Sequence, residues 1–194
     1  DFEIKKLRKK GEKKISVIGV DYAGHPCDWI SLRYLANKFN LNLVNDNCHA
    51  LGANYQNTQT YAAKYADIVT QSFHPVKNIT TGEGGAVITR NNELFKKIET
   101  YRSHCIVKNM KTRSEGRWKY DVLDLGYNYR INDIECALGS SQLKKIKKFL
   151  KKRRNIAEIV LIQIYTKSFI DMILLTSIIT FVFIVKISNS EVLI

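Results

Sequence analysis

The stretch ISVIGVDYAGHPCDWISLRYLANKFNLNLVND, at residues 15–46, has the pattern of a strand, a helix and a second strand. Four of its first six residues are Ile or Val, which is typical of a buried strand. Asp28 can begin the helix, because its carboxylate can accept hydrogen bonds from the free amides of the first turn. A second apolar run follows at residues 41–44. The apolar residues of the helix recur at helical spacing: Leu32, Leu35, Ala36 and Phe39.

Further along the chain, the same alternation continues. Residues 68–70 and 86–89 are predicted strands, and residues 92–102 are a predicted helix. Strands bridged by helices at this interval indicate parallel pairing, and therefore an α/β fold with a mainly parallel sheet flanked by helices. Ligands of such sheets bind beyond the carboxyl ends of the strands. Polar residues that could bind a ligand or take part in catalysis follow two of the predicted strands, at 46–49 and 72–77.

The densest of these stretches is QSFHPVKNITTGEGG, residues 71–85. Ser72 offers a hydroxyl to a phosphate oxygen, and Pro75 stiffens the loop before Lys77. The glycines at the end of the stretch allow tight turns beside a bulky ligand. Lys77 has three interpretations: an electrostatic phosphate clamp, a Schiff-base lysine, or a plain surface lysine. The GxxxxGK[ST] pattern is absent, so a Walker-type phosphate loop is excluded.

Asp46 favours the Schiff-base interpretation. A carboxylate at the end of the neighbouring strand is what a pyridoxal cofactor needs opposite its lysine, because it keeps the ring nitrogen protonated. The alternative is a buried aspartate satisfied by backbone amides. His49, three residues later, could hydrogen-bond or stack near the same ring, or it could be structural.

The basic charge of the chain is concentrated in two short runs. The 194 residues carry a formal net charge of +13. Residues 1–14 contain seven basic and three acidic residues, and residues 144–154 contain eight basic and no acidic ones. Most of the chain is therefore nearly neutral, and residues 132–159 are predicted to be a helix with a solvated basic face. A non-catalytic protein that binds membrane or nucleic acid through these runs is the alternative function.

The four cysteines lie apart in the sequence, with no CxxC pair. This spacing indicates neither a disulfide framework nor a zinc site, and we expect no metal. Free thiols in a reducing compartment are the expectation. The cysteines are Cys27, Cys48, Cys105 and Cys136.

Three motifs in order resemble the DegT/DnrJ/StrS sugar aminotransferases. They are NDNCHALGA at 45–53, SFHPVKNITTGEGG at 72–85 and GYNYRINDIECALGSSQL at 126–143. DYAGHPCDW at 21–29 and RSHCI at 102–106 are similar to the subgroup of pseudaminic acid biosynthesis. The resemblance implies a fold-type I enzyme that uses pyridoxal 5'-phosphate to aminate keto sugars attached to nucleotides.

The resemblance also implies roles for individual residues. Lys77 would hold the cofactor covalently and relay protons, and Asp46 would pair with the pyridine nitrogen. His49 would lie on the ring-hydroxyl side, and Ser72 would bind the 5'-phosphate. Asn128 would reach the phosphate of the partner subunit's cofactor, because family active sites span a homodimer interface. Related dehydrases have His in place of this lysine, so the lysine favours transamination.

Two further residues and the partners follow from the same resemblance. His74 is a candidate for the substrate pocket, and Arg130 is a candidate for the dimer edge. The amino donor would be L-glutamate, and the acceptor a UDP-linked 4-keto-6-deoxy sugar. We expect a cytoplasmic homodimer that binds no nucleic acid.

Three positions depart from the family pattern. Asn45 replaces the acidic residue that the family usually has before the aspartate, and Cys105 stands where a glycine is expected. Asn47 replaces a small residue, and it is bulkier than a position beside the cofactor usually allows. The three departures are nonetheless typical of tolerated drift near the site.

The sequence predicts three parts: a partial cofactor-binding large domain at 1–143, a basic helix at 144–160 leading toward a small domain, and an apolar tail at 161–194. Residues 172–185, MILLTSIITFVFIV, are either a marginal membrane anchor or sequence foreign to the parent fold, such as a shifted reading frame. The family's N-terminal phosphate loop and stacking aromatic residue have no counterpart in the chain. We therefore expect an internal fragment with weak or absent turnover.

Overall fold

The computed structural model describes residues 2–107, 120–167 and 182–185. Within these ranges, the helices are α1 (Phe2–Lys9), α2 (Trp29–Phe39), α3 (Tyr61–Tyr65), α4 (Asn92–Arg102), α5 (Asp133–Leu143) and α6 (Ile146–Lys167). The strands are β1 (Ser16–Val20), β2 (Asn42–Asp46), β3 (Ile68–Ser72), β4 (Gly85–Ile88), β5 (Ile106–Val107), β6 (Asp121–Val122) and β7 (Val182–Val185).

Five strands form one mixed sheet in the order β4-β3-β2-β1-β7. The central strands β1, β2 and β3 are parallel, which confirms the predicted α/β architecture. The fourth strand differs from the expected parallel pairing, because β4 runs antiparallel to β3. A loop without a helix joins these two strands, so the chain simply turns back along the same edge.

The hydrophobic core lies between the sheet and helices α2 and α3. Trp29 of α2, Leu43 of β2 and Tyr61 of α3 are almost completely buried there. We call this side of the sheet the helix face. Residue 19 of β1 is glycine because a Cβ atom there would lie 2.7 Å from the indole of Trp29. The predicted start of α2 is confirmed, since the Asp28 carboxylate accepts a hydrogen bond from the Ser31 amide at 3.2 Å.

The predicted helix at 132–159 is two helices. Asn132 and Glu135 form a capping box at the start of α5, and the helix ends at Leu143. A break at residues 144–145 separates it from α6. Helical periodicity alone did not indicate this break, because both segments continue the same apolar pattern.

The N-terminal basic run forms α1, which packs on the core through Ile4. Its Arg8 guanidinium donates hydrogen bonds to the carbonyl oxygens of Phe39 and Asn40, at 2.9 and 3.1 Å. These bonds lie at the C-terminal end of α2, where carbonyl groups lack helical partners. Arg8 therefore ties α1 to the end of α2.

Most of the apolar run at 172–185 lies outside the described residues, so the two interpretations of the tail stay predictions. Its last four residues form β7, which pairs antiparallel with β1 at the edge of the sheet. In the part of the chain that the structure describes, none of the helices is long and apolar enough to cross a membrane.

Candidate active site

The carboxyl ends of β2 and β3 place Asp46 and Ser72 at one edge of the sheet. Asp46 pairs with Thr70 in the parallel register, and Ser72 lies two residues further along β3. Alternate side chains of a strand point to opposite faces, so Asp46, Thr70 and Ser72 share the face opposite α2. The burial pattern agrees, because Leu43, Asn45 and Val69 on the helix face are buried.

The Asp46 carboxylate lies beside the backbone turn that follows β2. It accepts a hydrogen bond from the Cys48 amide at 3.1 Å. Burial, and then Asp46, raise the pKa of the Cys48 thiol to about 11, and the positive charge of Lys77 opposes this rise. The turn that follows Asp46 is hydrogen-bonded through Asn78 to the loop that carries Lys77, so Asp46 and Lys77 lie at the same part of the sheet edge.

Lys77 lies in a closed loop between β3 and β4. Backbone hydrogen bonds close the loop from Phe73 N to Gly84 O at 2.8 Å and from Thr81 N to Phe73 O at 3.0 Å. Within it, the Lys77 amide donates to the His74 carbonyl at 3.0 Å. Ser72 Oγ accepts a bond from the His74 amide at 3.4 Å, so the serine and the loop are directly joined. The loop holds Lys77 half-buried at the same edge as Asp46.

The turn that carries His49 is bonded to the lysine loop. The Asn78 side-chain amide donates to the carbonyl oxygens of Leu51 at 2.9 Å and His49 at 3.5 Å. The His49 ring is exposed, and its Nδ1 accepts a hydrogen bond from the Ala23 amide at 3.3 Å. His49 therefore lies at the exposed rim of the site, with its ring bonded to the loop that follows β1.

The other predicted site residues lie on the surface of the described chain. His74 is exposed, and its Nε2 is 4.0 Å from a Glu83 carboxylate oxygen. Asn128 is exposed and forms an isolated β-bridge with Ser103, and Arg130 is also exposed. Neither Asn128 nor Arg130 has a described hydrogen bond to Lys77, Asp46 or Ser72, so their assigned roles at a dimer interface stay predictions.

Helices α5 and α6 pack against the loops that carry Lys77 and His49. Arg153 of α6 donates a hydrogen bond from Nη2 to the Lys77 carbonyl at 3.1 Å. A Cβ atom on Gly52 would overlap Leu150 of α6, and one on Gly139 of α5 would lie 2.8 Å from Thr81. The basic helix α6 therefore packs against the loops of the site, and it also presents the solvated basic face that its sequence predicts. Lys152 and Arg153 of α6, together with Lys77 itself, line a cavity of about 310 Å³.

A buried carboxylate that sequence reasoning missed lies beneath the edge of the sheet. Asp21 is fully buried, directly after β1, and its two oxygens accept five hydrogen bonds. Oδ1 accepts from the Cys27 amide and from Trp29 Nε1, both at 2.9 Å. Oδ2 accepts from three side chains, Asn45 at 3.1 Å, Asn47 at 2.7 Å and Tyr61 at 2.7 Å. The sequence indicates Asp21 only weakly, as the first residue of the DYAGHPCDW stretch at 21–29.

Asn47 does not lie on the face of the sheet that is assigned to the cofactor. Asn47 is 3% exposed and points to the helix face, where it donates to Asp21 and Tyr61. Asn45 points the same way, so Asp46 alone of the three faces the opposite side. Amide side chains fit these two positions because an acidic residue would meet the Asp21 carboxylate.

Burial raises the pKa of two groups around Asp21. Burial is the main cause for Tyr61, whose pKa lies far above its ordinary value, and the charge of Asp21 adds to it. The Cys27 thiol has its pKa raised to about 12 by burial and then by Asp21. Both groups therefore stay protonated at neutral pH, and the Tyr61 hydroxyl remains a hydrogen-bond donor.

The donor set at the sheet edge suits pyridoxal phosphate. It offers an amine for an aldehyde, a carboxylate for a protonated ring nitrogen and a hydroxyl for a phosphate, all from one edge of the sheet. The residues are Lys77, Asp46 and Ser72. Within residues 2–107, 120–167 and 182–185, the structure contains no group of three His, Cys, Asp or Glu side chains arranged for a metal ion.

A parallel α/β core with a lysine, an aspartate and a serine at its carboxyl edge defines part of the large domain of a fold-type I aminotransferase. Comparison with known proteins gives the family. Residues 6–173 match the model of the DegT/DnrJ/EryC1/StrS aminotransferase family. This chain therefore belongs to the DegT/DnrJ/EryC1/StrS aminotransferase family.

Among curated relatives, a UDP-4-amino-4,6-dideoxy-N-acetyl-beta-L-altrosamine transaminase of Campylobacter jejuni is 45% identical over 152 residues, which are 78% of this chain and 38% of the relative. Among solved structures, Helicobacter pylori PseC, an aminotransferase involved in the biosynthesis of pseudoaminic acid, superposes with a TM-score of 0.67 at 37% identity. That match covers 78% of this chain and 38% of PseC.

A putative sugar aminotransferase from Streptococcus pneumoniae, Spr1654, also matches in its PLP-form. The TM-score is 0.63 at 30% identity, and the match covers 76% of this chain and 40% of Spr1654. The chain thus spans about two fifths of the length of the relatives that it matches.

Proposed function

We propose that this chain supplies the cofactor lysine and much of the cofactor-binding edge of a sugar-nucleotide aminotransferase. The reaction exchanges the amino group of L-glutamate for the keto oxygen of a UDP-linked 4-keto-6-deoxy sugar, giving 2-oxoglutarate and an amino sugar. The observation that carries the proposal is the placement of Lys77, Asp46 and Ser72 at one sheet edge. The substrate class is taken from the names of the relatives.

When bound, pyridoxal phosphate supplies an aldehyde that takes up an amino group and a ring that accepts electrons from the neighbouring carbon. Lys77 Nζ would hold the cofactor and, once released from it, move a proton to or from the carbon that gains or loses the amino group. The Asp46 carboxylate would accept a hydrogen bond from the protonated ring nitrogen. The Ser72 hydroxyl would donate to the phosphate.

The surroundings of these residues support their roles. The closed loop and its bond from Arg153 hold the Lys77 backbone, so that only the side chain needs to move during a proton transfer. The Cys48 amide fixes one Asp46 oxygen, which gives the carboxylate a defined orientation. Preorganised groups of this kind spend little energy on reorientation when charge develops.

The proposal extends to a homodimer, with Asn128 reaching the phosphate of the partner's cofactor, and with His74 and Arg130 in the substrate pocket and at the dimer edge. All three side chains are exposed in the single chain, which leaves them accessible to a second copy. Four unpaired cysteines fit a reducing compartment, and we place the protein in the cytoplasm.

Cofactor attachment tests the proposal on the 194-residue chain. The chain is incubated with a slight excess of pyridoxal phosphate and reduced with borohydride, and the labelled peptide is found by mass spectrometry. We expect the label on Lys77, its loss in Lys77→Ala, and its retention in the matched control Lys151→Ala, which changes an exposed lysine of α6 outside the cavity that Lys77 lines. Labelling spread evenly over the surface lysines, or unchanged in Lys77→Ala, would contradict the assignment.

The amino donor is tested in the half-reaction. Adding L-glutamate to the loaded chain should free Lys77 from borohydride labelling and yield up to one 2-oxoglutarate per bound cofactor. L-alanine is the control donor, which should leave the label in place. A chain that responds equally to both amino acids would disprove the glutamate assignment while leaving the cofactor site intact.

A further inference from the structure

We propose that Asp21 is a positioning residue for Asp46, acting through the side-chain amides of Asn45 and Asn47. The inference rests on the proposed function, because it concerns how Asp46 meets the cofactor ring. Asp21 itself lies on the helix face and does not reach the face that carries Asp46 and Ser72.

The two sequence neighbours of Asp46 are both bonded to the same carboxylate oxygen. Asn45 Nδ2 donates to Asp21 Oδ2 at 3.1 Å, and Asn47 Nδ2 donates to it at 2.7 Å. In an extended strand, fixing the side chains at two alternate positions fixes the rotation of the residue between them. Asp46 is therefore directed away from Asp21, toward the opposite face of the sheet.

The backbone adds a third connection between the two aspartates. The Asp21 amide donates to the Asp46 carbonyl oxygen at 3.0 Å, which continues the β1–β2 register by one residue. Asp46 is thus held through its own carbonyl group and through both neighbouring side chains. A displacement of Asp21 would reach Asp46 by all three connections.

The network also extends to β3 and so to Ser72. Gln71 Nε2 donates to Asn47 Oδ1, and Gln71 directly precedes Ser72 in β3. The Gln71 side chain lies on the helix face, so Ser72 points to the opposite face with Asp46. One buried carboxylate thereby sets the orientation of the two residues assigned to the ring nitrogen and the phosphate.

The Asp21 carboxylate is held by neutral donors. Two donors follow Asp21 in the chain: the backbone amide of Cys27 and the indole of Trp29. The other three are the side chains of Asn45, Asn47 and Tyr61. A buried carboxylate that accepts several hydrogen bonds in this way is firmly fixed, because each lost bond leaves a desolvated acceptor. An asparagine in its place has a single acceptor oxygen, so one side of the network loses its partner.

The test measures cofactor affinity and the visible absorption band of the bound cofactor in four proteins: wild type, Asp21→Asn, Asp46→Asn and the double variant. We expect Asp21→Asn to weaken binding by about tenfold and to shift the band in the direction that Asp46→Asn shifts it. The double variant should bind no more weakly than Asp46→Asn alone, because both changes remove the same interaction.

A matched control separates positioning from stability. Leu43→Ala removes a buried side chain of β2 without touching the network, and thermal unfolding identifies conditions in which it and Asp21→Asn are equally folded. Leu43→Ala should leave the band unchanged. If Asp21→Asn does not fold, Asn47→Ala, which removes one anchored amide, is measured in its place with the same expectation.

The outcomes distinguish the two proposals. Additive effects in the double variant, or an unshifted band in Asp21→Asn, would overturn the positioning role while leaving the cofactor site intact. Wild-type binding that does not depend on Lys77 would overturn both proposals together.

Discussion

Asp21 and Asp46 are joined by a backbone hydrogen bond of 3.0 Å, yet their carboxylates lie on opposite faces of the sheet. One carboxylate is buried among neutral donors, and the other is half-buried on the face that we assign to the cofactor. Because side chains alternate along β2, Asn45 and Asn47 face the buried Asp21 carboxylate, whereas Asp46 between them faces the other side of the sheet. A negative charge at position 45 or 47 would therefore lie beside Asp21.

Asn47→Asp tests that sensitivity with almost no change in volume. The change removes the hydrogen bond that the Asn47 amide donates to Asp21 and places a second carboxylate beside it in a buried site. We therefore expect the free energy of unfolding to fall by about 3 kcal/mol at pH 7. The folded-state pKa of the new carboxylate would be raised by burial and by Asp21. A raised folded pKa gives stability at low pH that is lost as the pH rises, so the deficit should shrink as the pH is lowered.

Asn42→Asp at the exposed start of the same strand is the control for this change. It adds the same charge outside the network. The Asn42 side-chain amide donates to Ser16 Oγ at 3.3 Å, and a carboxylate there can accept from the same hydroxyl, so the free energy of unfolding should change by less than about 0.5 kcal/mol. Denaturant unfolding at pH 5 and pH 7 measures both variants. An Asn47→Asp deficit that stays the same at the two pH values would argue against the repulsion.

Particular residues explain how far the sequence predicted the fold and the site. Helix α2 with its Asp28 cap and helix α4 follow local rules, and both are confirmed. The direction of β4 and the donors of Asp21 depend on tertiary contacts, and three of those donors lie at least 24 residues from Asp21 in the sequence. Hydrophobic periodicity carries no information about such distant polar pairs. The assigned roles of Asn128, His74 and Arg130 stay predictions.

Arg153→Ala should weaken pyridoxal phosphate binding by about threefold to tenfold. The change removes the guanidinium bond to the Lys77 carbonyl and loosens the loop, and an exposed charged hydrogen bond contributes about 1 kcal/mol. The neighbouring exposed residue supplies the control, since Arg154→Ala removes equal charge from the same helix. A cofactor titration compares them at equal salt. Equal losses in the two variants would mean that the helix acts only through its net charge.

The four cysteines should differ in reactivity toward a thiol reagent. Cys136 is exposed, whereas Cys27 and Cys105 are buried and Cys48 is half-buried with a raised pKa. We expect one fast thiol at pH 8, because burial hinders access and only the thiolate reacts. Cys136→Ser should remove the fast phase. Two or more equally fast thiols in the native chain would contradict the described burial.

The raised pKa of Cys27 also predicts an alkaline limit of stability. Its ordinary value is 9.0 and burial, aided by Asp21, raises it to about 12 in the folded chain. A folded pKa above the unfolded one favours folding below pH 9, and this contribution is lost as the pH rises toward 12. Cys27→Ala removes this titration, so its unfolding free energy should depend less steeply on pH over that window. An unchanged slope would place the alkaline titration elsewhere.

Gly52→Ala tests how firmly the basic helix α6 holds the His49 turn. Gly52 has a φ of +83°, and an added Cβ would overlap Leu150 of α6. Gly82, with a φ of +87° and nothing within 4 Å of a Cβ, is the matched control, because alanine there adds only backbone strain. We expect about 1 kcal/mol of destabilisation for Gly82→Ala and about 2 kcal/mol for Gly52→Ala.

Adding Leu150→Ala to Gly52→Ala should recover part of the cofactor affinity that the overlap costs, since the added methyl group at position 52 then has room against α6. If the second change only adds its own loss, the contact between α6 and the turn does not govern the site.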